Sequence, residues 1–301
     1  MERLEYIVPC HFGLEAVLKK EITDLGYEIT AVEDGRVTFA GDAQALCRAN
    51  IFLRTAERVL LKVGSFHAET FEALFQGTKV IPWSDYIPKD GKFWVAKAAS
   101  VKSKLFSPSD IQSVMKKAMV EQMRQSYHMD WFAESGASYP VRVFLMKDEV
   151  TVGLDTTGDS LHKRGYRTLT SKAPITETLA AALIMLTPWN RDRILVDPFC
   201  GSGTLMIEAA MKAMNMAPGL RRRFTAEHYA FLPAAVWKEP PCQDQSKGTG
   251  TCPPTSTCRG RTTCGCLGTR PSATRTGSPW TPRSARPWTP PTRMAHLARC
   301  S

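Results

Sequence analysis

Long apolar runs are missing from this chain. The longest, Leu179 to Leu186, is broken at once by Thr187 and Pro188 and falls far short of the roughly 20 residues that span a bilayer, so no membrane helix is expected. The amino terminus, Met1-Glu-Arg-Leu-Glu-Tyr-Ile-Val-Pro9, carries acids early and lacks the apolar stretch of about 7 to 15 residues of a secretory signal, which points to a cytoplasmic chain. No C-x-x-C or H-E-x-x-H unit occurs, the six histidines are dispersed, and Cys252, Cys258, Cys264 and Cys266 lack paired spacing, so no zinc or other metal site is expected. Cys10, Cys47 and Cys200 stand apart in apolar surroundings and read as reduced, buried small residues. For Cys200 that makes a filler rather than a nucleophile.

Acids are scarce at one end only. Of the formal charge of +10, residues 239–301 carry +7 (eight Arg and one Lys against two acids), which leaves +3 for residues 1–238. Global charge is therefore weak support for an anionic partner of the folded part. The same last stretch has no Ile, Val, Phe or Tyr and only two Leu, with abundant Pro and Thr. It cannot bury enough apolar surface to offset backbone ordering and is expected to be disordered. Arg outnumbers Lys there eight to one, whereas the body of the chain has 14 Arg and 16 Lys, as in translation from a wrong frame or another non-native end.

Chain organisation follows from periodicity. Strands are predicted at Tyr6 to Pro9, Arg36 to Phe39 and Arg58 to Val63, the last buried on both faces, with helices from Gly13 and over Leu46 to Phe52. Further on, a helix is predicted over Glu69 to Phe75, a strand over Phe93 to Ala98 and a long helix at Ser107-Pro-Ser-Asp110, a cap followed by proline and an acid. A hairpin turning at Lys147-Asp-Glu149 follows. A linker near Asp155 to Ser160 leads to a helix over Ile175 to Leu186, a strand Arg193 to Asp197, a glycine-rich turn and a helix from Thr204, the opening of a doubly wound sheet.

In Asp197-Pro-Phe-Cys-Gly-Ser-Gly-Thr204, Gly201 and Gly203 permit positive φ and close approach of a ligand, and the helix start offers free N–H groups. The spacing matches neither the G-x-G-x-x-G fingerprint nor a phosphate loop. A tight connection and a cofactor turn stay equally open on these residues alone. Lys163, Arg164 and Arg167 read either as phosphate contacts or as a solvated linker, and Arg221 to Arg223 have the same two readings.

The turn resembles the S-adenosylmethionine loop of class I methyltransferases, specifically the THUMP-domain RNA guanine-N2 methyltransferases acting on 23S ribosomal RNA. Further stretches are similar to that family in its order: Tyr6-Ile-Val-Pro-Cys-His-Phe-Gly-Leu-Glu15, Leu161-His-Lys-Arg-Gly-Tyr-Arg167, Ala173-Pro-Ile-Thr-Glu-Thr-Leu-Ala-Ala-Ala-Leu183 and Ala217-Pro-Gly-Leu-Arg221. The resemblance implies α+β followed by α/β: a ferredoxin-like unit (1–55), a THUMP RNA-binding domain (56–160) and an incomplete Rossmann-like methyltransferase domain (161–238) before the tail (239–301). It implies S-adenosyl-L-methionine held by Asp197, Phe199, Gly201, Ser202, Gly203 and Thr204, with Thr178 a further contact, and RNA as partner, 23S rRNA, met by Lys163, Arg164 and Arg167. Members continue into an acidic strand end and an Asn-Pro-Pro-Tyr or similar loop, and neither follows Leu205. No catalytic residue is therefore carried over. An RNA-binding THUMP module without catalysis, or an amino-methylating DNA enzyme, are the alternative readings.

Overall fold

Short apolar strands and amphipathic helices alternate through the first part of the chain and close a βαββαβ unit: β1 (Leu4–Pro9), α1 (Glu15–Asp24), β2 (Glu28–Glu33), β3 (Arg36–Gly41), α2 (Ala43–Phe52) and β4 (Leu60–His67). The computed structural model describes residues 3–167, 174–233 and 235–238; the tail 239–301, for which disorder was expected, lies outside them. Helix α1 buries Val17, Leu18 and Ile22, the predicted stripe. Asp42 starts α2 by accepting a hydrogen bond from the Ala45 N–H at 2.9 Å. Strand β2 was not anticipated: nearly all its residues are exposed, and its alternation, Glu28 to Ala31, is short and is interrupted by a register shift between Ile29 and Ala31.

The next elements are α3 (Phe71–Val80), α4 (Trp83–Tyr86), β5 (Lys92–Val101), α5 (Pro108–Tyr127), β6 (Ser138–Met146) and β7 (Glu149–Asp155). Together the strands make one seven-stranded sheet in the order β2-β3-β1-β4-β7-β6-β5. Only β5 and β6 run parallel, joined through α5 as a crossover. Strand β4 pairs with β1 at Leu60 and Leu61 and with β7 along its length, so the sheet is continuous across the ferredoxin-like and THUMP portions. Only Leu60 and Leu61 of β4 are buried on both faces. A single core lines the sheet, from Tyr6, Phe39 and Leu61 to Val141, Val152 and Phe93, under Leu18, Leu46, Ile111 and Met115 of the helices.

Two local expectations change. The hairpin turns at Lys147 and Asp148, both with positive φ (54° and 65°), as a two-residue turn between twisted strands requires. The Ser107 hydroxyl caps no helix N–H; it faces the Ser109 hydroxyl at 3.2 Å instead, and Pro108 alone starts α5.

Beyond Asp155 the described residues form α6 (Glu177–Leu186), α7 (Thr204–Ala213), a 3-10 turn (Thr225–His228) and α8 (Ala235–Lys238). The strand expected at Arg193 to Asp197 is not formed, and Ile194 is 91% and Val196 75% exposed. A parallel strand needs neighbours to satisfy its backbone and cover its side chains, and no other strand follows Asp155 among the described residues. The described residues beyond Asp155 therefore form helices without a sheet of their own. No described helix is long and apolar enough to cross a membrane.

Candidate cofactor loop and its mounting

The turn before α7 is built by its own side chains. Asp197 Oδ1 accepts hydrogen bonds from the N–H groups of Phe199 (3.2 Å) and Cys200 (2.9 Å), the local bonding that lets aspartate organise a turn. Cys200, Gly201 and Gly203 all have positive φ (28°, 58° and 72°). Gly203 is the N-cap of α7 in left-handed conformation, where a side chain would be strained. A methyl group at Gly203 would meet nothing within 4 Å, and at Gly201 only the Phe199 carbonyl at 3.9 Å, so the outer side of the turn is open. Phe199 is 92% exposed. Cys200 is exposed as well, which corrects its reading as a buried filler: the sheet that would cover the turn is missing from the described residues. Cys10 and Cys47 are buried as expected, and burial raises the Cys10 thiol to about 12 and the Cys47 thiol to about 11.

Thr204 and Ser202 meet at 2.9 Å through their hydroxyls. Arg167 Nη2 donates to Thr204 Oγ1 at 2.6 Å and to the Ile175 carbonyl at 3.2 Å, and Arg167 Nη1 lies 3.4 Å from Glu177 Oε1. The Arg167 side chain is thus committed to the starts of α6 and α7. Arg164, expected at RNA, is 3% exposed: it donates to the carbonyls of Leu161 (2.7 Å) and Arg54 and lies 3.6 Å from Glu208, so it has no surface to present to a phosphate. Lys163 is the exposed member of the three, 3.3 Å from Asp159. Arg222 reaches back to the carbonyls of Ser160 (2.8 Å) and Asp159 and anchors the linker, while Arg221 and Arg223 are exposed.

One turn into α7, Glu208 is buried and accepts from the Tyr166 hydroxyl at 3.0 Å. Burial raises its carboxyl above the ordinary range, against the pull of Arg164; burial and Glu208 likewise raise the Tyr166 phenol. Thr178, expected at the cofactor, is fully buried and donates to Glu57 Oε1 at 2.7 Å. Glu57 also accepts from Ser160 Oγ at 2.9 Å and lies near His11 (3.2 Å) and His162 (3.5 Å). Burial alone would raise its carboxyl, but the hydroxyls of Thr178 and Ser160 and the two imidazoles outweigh it, and the group is lowered.

Sequence reasoning missed Glu57, Tyr166 and Glu208. Glu208 had a signal: it stands four residues after Thr204 and so on the same helix face. Among the described residues no three His, Cys, Asp or Glu side chains gather as metal ligands would.

Three family models match the chain: an RlmL ferredoxin-like domain over residues 5–60, a THUMP domain over 68–155 and an RMKL-like methyltransferase domain over 164–251. The Bacillus subtilis (strain 168) protein named "Putative RNA methyltransferase YpsC" is 48% identical over 241 residues, 79% of this chain and 62% of that protein. A structure described as a possible methylase from Clostridium difficile 630 is 52% identical, with a TM-score of 0.76, over 78% of this chain and 62% of its own. SMU.472, described as "a putative methyltransferase complexed with SAH", is 43% identical with a TM-score of 0.73 over the same shares. The chain thus spans 62% of the length of each of these relatives. The chain thus carries matches to a ferredoxin-like, a THUMP and a methyltransferase domain in this order, and is similar to proteins described as putative methyltransferases.

Proposed function

We propose that the chain binds S-adenosyl-L-methionine at the turn 197–204 and RNA through its THUMP portion, in the lineage of enzymes that methylate guanine N2 of 23S rRNA, and that its own catalytic set is incomplete. The observation that carries the reading is the open glycine turn with positive φ at the head of α7, in a chain whose preceding residues match a THUMP domain. The residues fit such a cofactor: Gly201 and Gly203 leave room for close approach, α7 supplies first-turn N–H groups without a carbonyl one turn earlier, and exposed Phe199 offers an apolar face. Asp197 organises the turn, Ser202 and Thr204 line its base, and Thr178 acts indirectly by tying α6 to Glu57. The bound cofactor would supply an electrophilic methyl on sulfur. Lys163, exposed on the linker, is the RNA contact retained from the sequence reading. The incompleteness rests on the unpaired segment Arg193 to Asp197 and on residues 239–301, which contain no Ile, Val, Phe or Tyr to build further strands.

Calorimetric titration of the full chain with S-adenosylhomocysteine, with a 23S rRNA fragment and with duplex DNA of the same sequence tests the proposal. Expected are cofactor binding, RNA binding that weakens steeply with salt and no methyl transfer. RNA binding without cofactor binding would reduce the chain to an RNA-binding module, preference for DNA would overturn the RNA reading, and methyl transfer would overturn the incompleteness.

A further inference from the structure

Within the linker 161–167, two adjacent side chains grip α7 from below. Tyr166 reaches Glu208 and Arg167 reaches Thr204, positions one turn apart on the same helix face. Arg167 simultaneously holds the Ile175 carbonyl and Glu177 at the entry to α6, so one guanidinium joins the starts of both helices. Two residues before Tyr166, Arg164 ties the linker to the Arg54 carbonyl of the amino-terminal unit and to Glu208. A planar guanidinium with five fixed donors can serve three acceptors at once; a lysine ammonium on a flexible stem holds no such fixed geometry. By donating to Thr204 Oγ1, Arg167 leaves the threonine proton free to point to Ser202 Oγ, 2.9 Å away inside the turn.

We infer that Arg167 is a positioning residue for the cofactor turn: by pinning Thr204 to the start of α6 it sets the direction of the first turn of α7 and hence the placement of Gly201 to Gly203. Its charge is spent inside the protein and not on RNA phosphates. This role rests on the reading of 197–204 as a cofactor turn.

The test uses the full chain with Arg167→Lys, Arg167→Met, Thr204→Val and the Met/Val double variant. Three quantities are read: S-adenosylhomocysteine affinity, RNA affinity with its salt slope, and amide hydrogen exchange at residues 204–208. Arg167→Lys and Arg167→Met should each weaken S-adenosylhomocysteine binding about tenfold, the size of one lost charge-assisted hydrogen bond. Both should speed exchange at 204–208, leave exchange in α5 unchanged, and keep RNA affinity and salt slope at the parent values. The double variant should lose less than the sum of the Arg167→Met and Thr204→Val losses, a non-additivity that general destabilisation does not produce. RNA affinity that falls with a salt slope smaller by about one, while nucleoside binding and exchange stay at parent values, would overturn the inference. Should the parent chain bind no S-adenosylhomocysteine, the cofactor reading itself fails. The pin is then still judged by exchange alone, and unchanged exchange in Arg167→Met would sink it.

Discussion

Glu57 is the residue on which the three portions of the chain converge. It accepts from Thr178 on α6 and Ser160 on the linker, and it faces His11 beside β1 and His162. Because these partners favour the charged form more than burial opposes it, its carboxyl titrates lower in the folded chain than in the unfolded one. A carboxylate of that kind adds stability above its unfolded pKa, about 4.3, and loses it as pH falls through the folded value. Urea unfolding of the parent and of Glu57→Gln between pH 3 and 7 reads this directly, with each pH chosen around that reference value. The parent should be the more stable near pH 5 and should lose that margin below about pH 4. A margin independent of pH would mean that the glutamate acts by packing alone.

Elements differ in what holds them. Strand β5 lies at the edge of the sheet, where open carbonyls invite pairing with other chains, and α5 closes that edge: Gln112 donates to the Val95 carbonyl at 3.1 Å and Lys116 to the Phe93 carbonyl. The segment Arg193 to Asp197 has apolar residues of the strand-forming kind but no strand beside it among the described residues; Trp189 Nε1 donates to its Arg193 carbonyl, at 3.0 Å. Ile194→Ser and Val196→Ser should therefore change unfolding free energy by no more than about 0.5 kcal/mol each, as for surface positions. Leu18→Ala, in the fully buried stripe of α1, should cost about 2–5 kcal/mol. Chemical denaturation of the three variants checks the contrast; a cost at Ile194 equal to that at Leu18 would show that the segment is packed after all.

Over the whole molecule, the described methyltransferase residues are held by a returning segment rather than by a sheet. Gly219 N–H donates to the Ile51 carbonyl at 2.9 Å, Tyr229 stacks on Tyr139 with ring centres 4.7 Å apart, and the Tyr229 hydroxyl donates to the Asp155 carbonyl. Phe224 stacks on Trp237 at 5.4 Å. Leu183 and Leu186 of α6 and Met214, the residue that follows α7, are exposed. Local opening is cheapest where few apolar contacts must break, so amides of α6 and α7 should exchange faster than those of β1, β4 and β6 by hydrogen-exchange mass spectrometry. Equal protection would show that the helices unfold only with the sheet.

Sequence alone determined most elements of residues 4–155, because their apolar periodicity matches the faces they bury: α1, α2, β3 and β7 follow from it. It also determined the glycine turn, since Gly201 and Gly203 take positive φ at no steric cost, and the resemblance carried by the motifs of the sequence. Exposed β2 and the missing strand at 193–197 were not legible, the first because its alternation is short and it buries almost nothing, the second because a strand's existence depends on neighbours that no local pattern records. Arg164 and Arg167 look in sequence like any basic linker. Only tertiary structure decided that one lies buried between Arg54 and Glu208 and the other between Ile175 and Thr204, because whether a charge meets solvent or a carbonyl is set by chain segments distant in sequence.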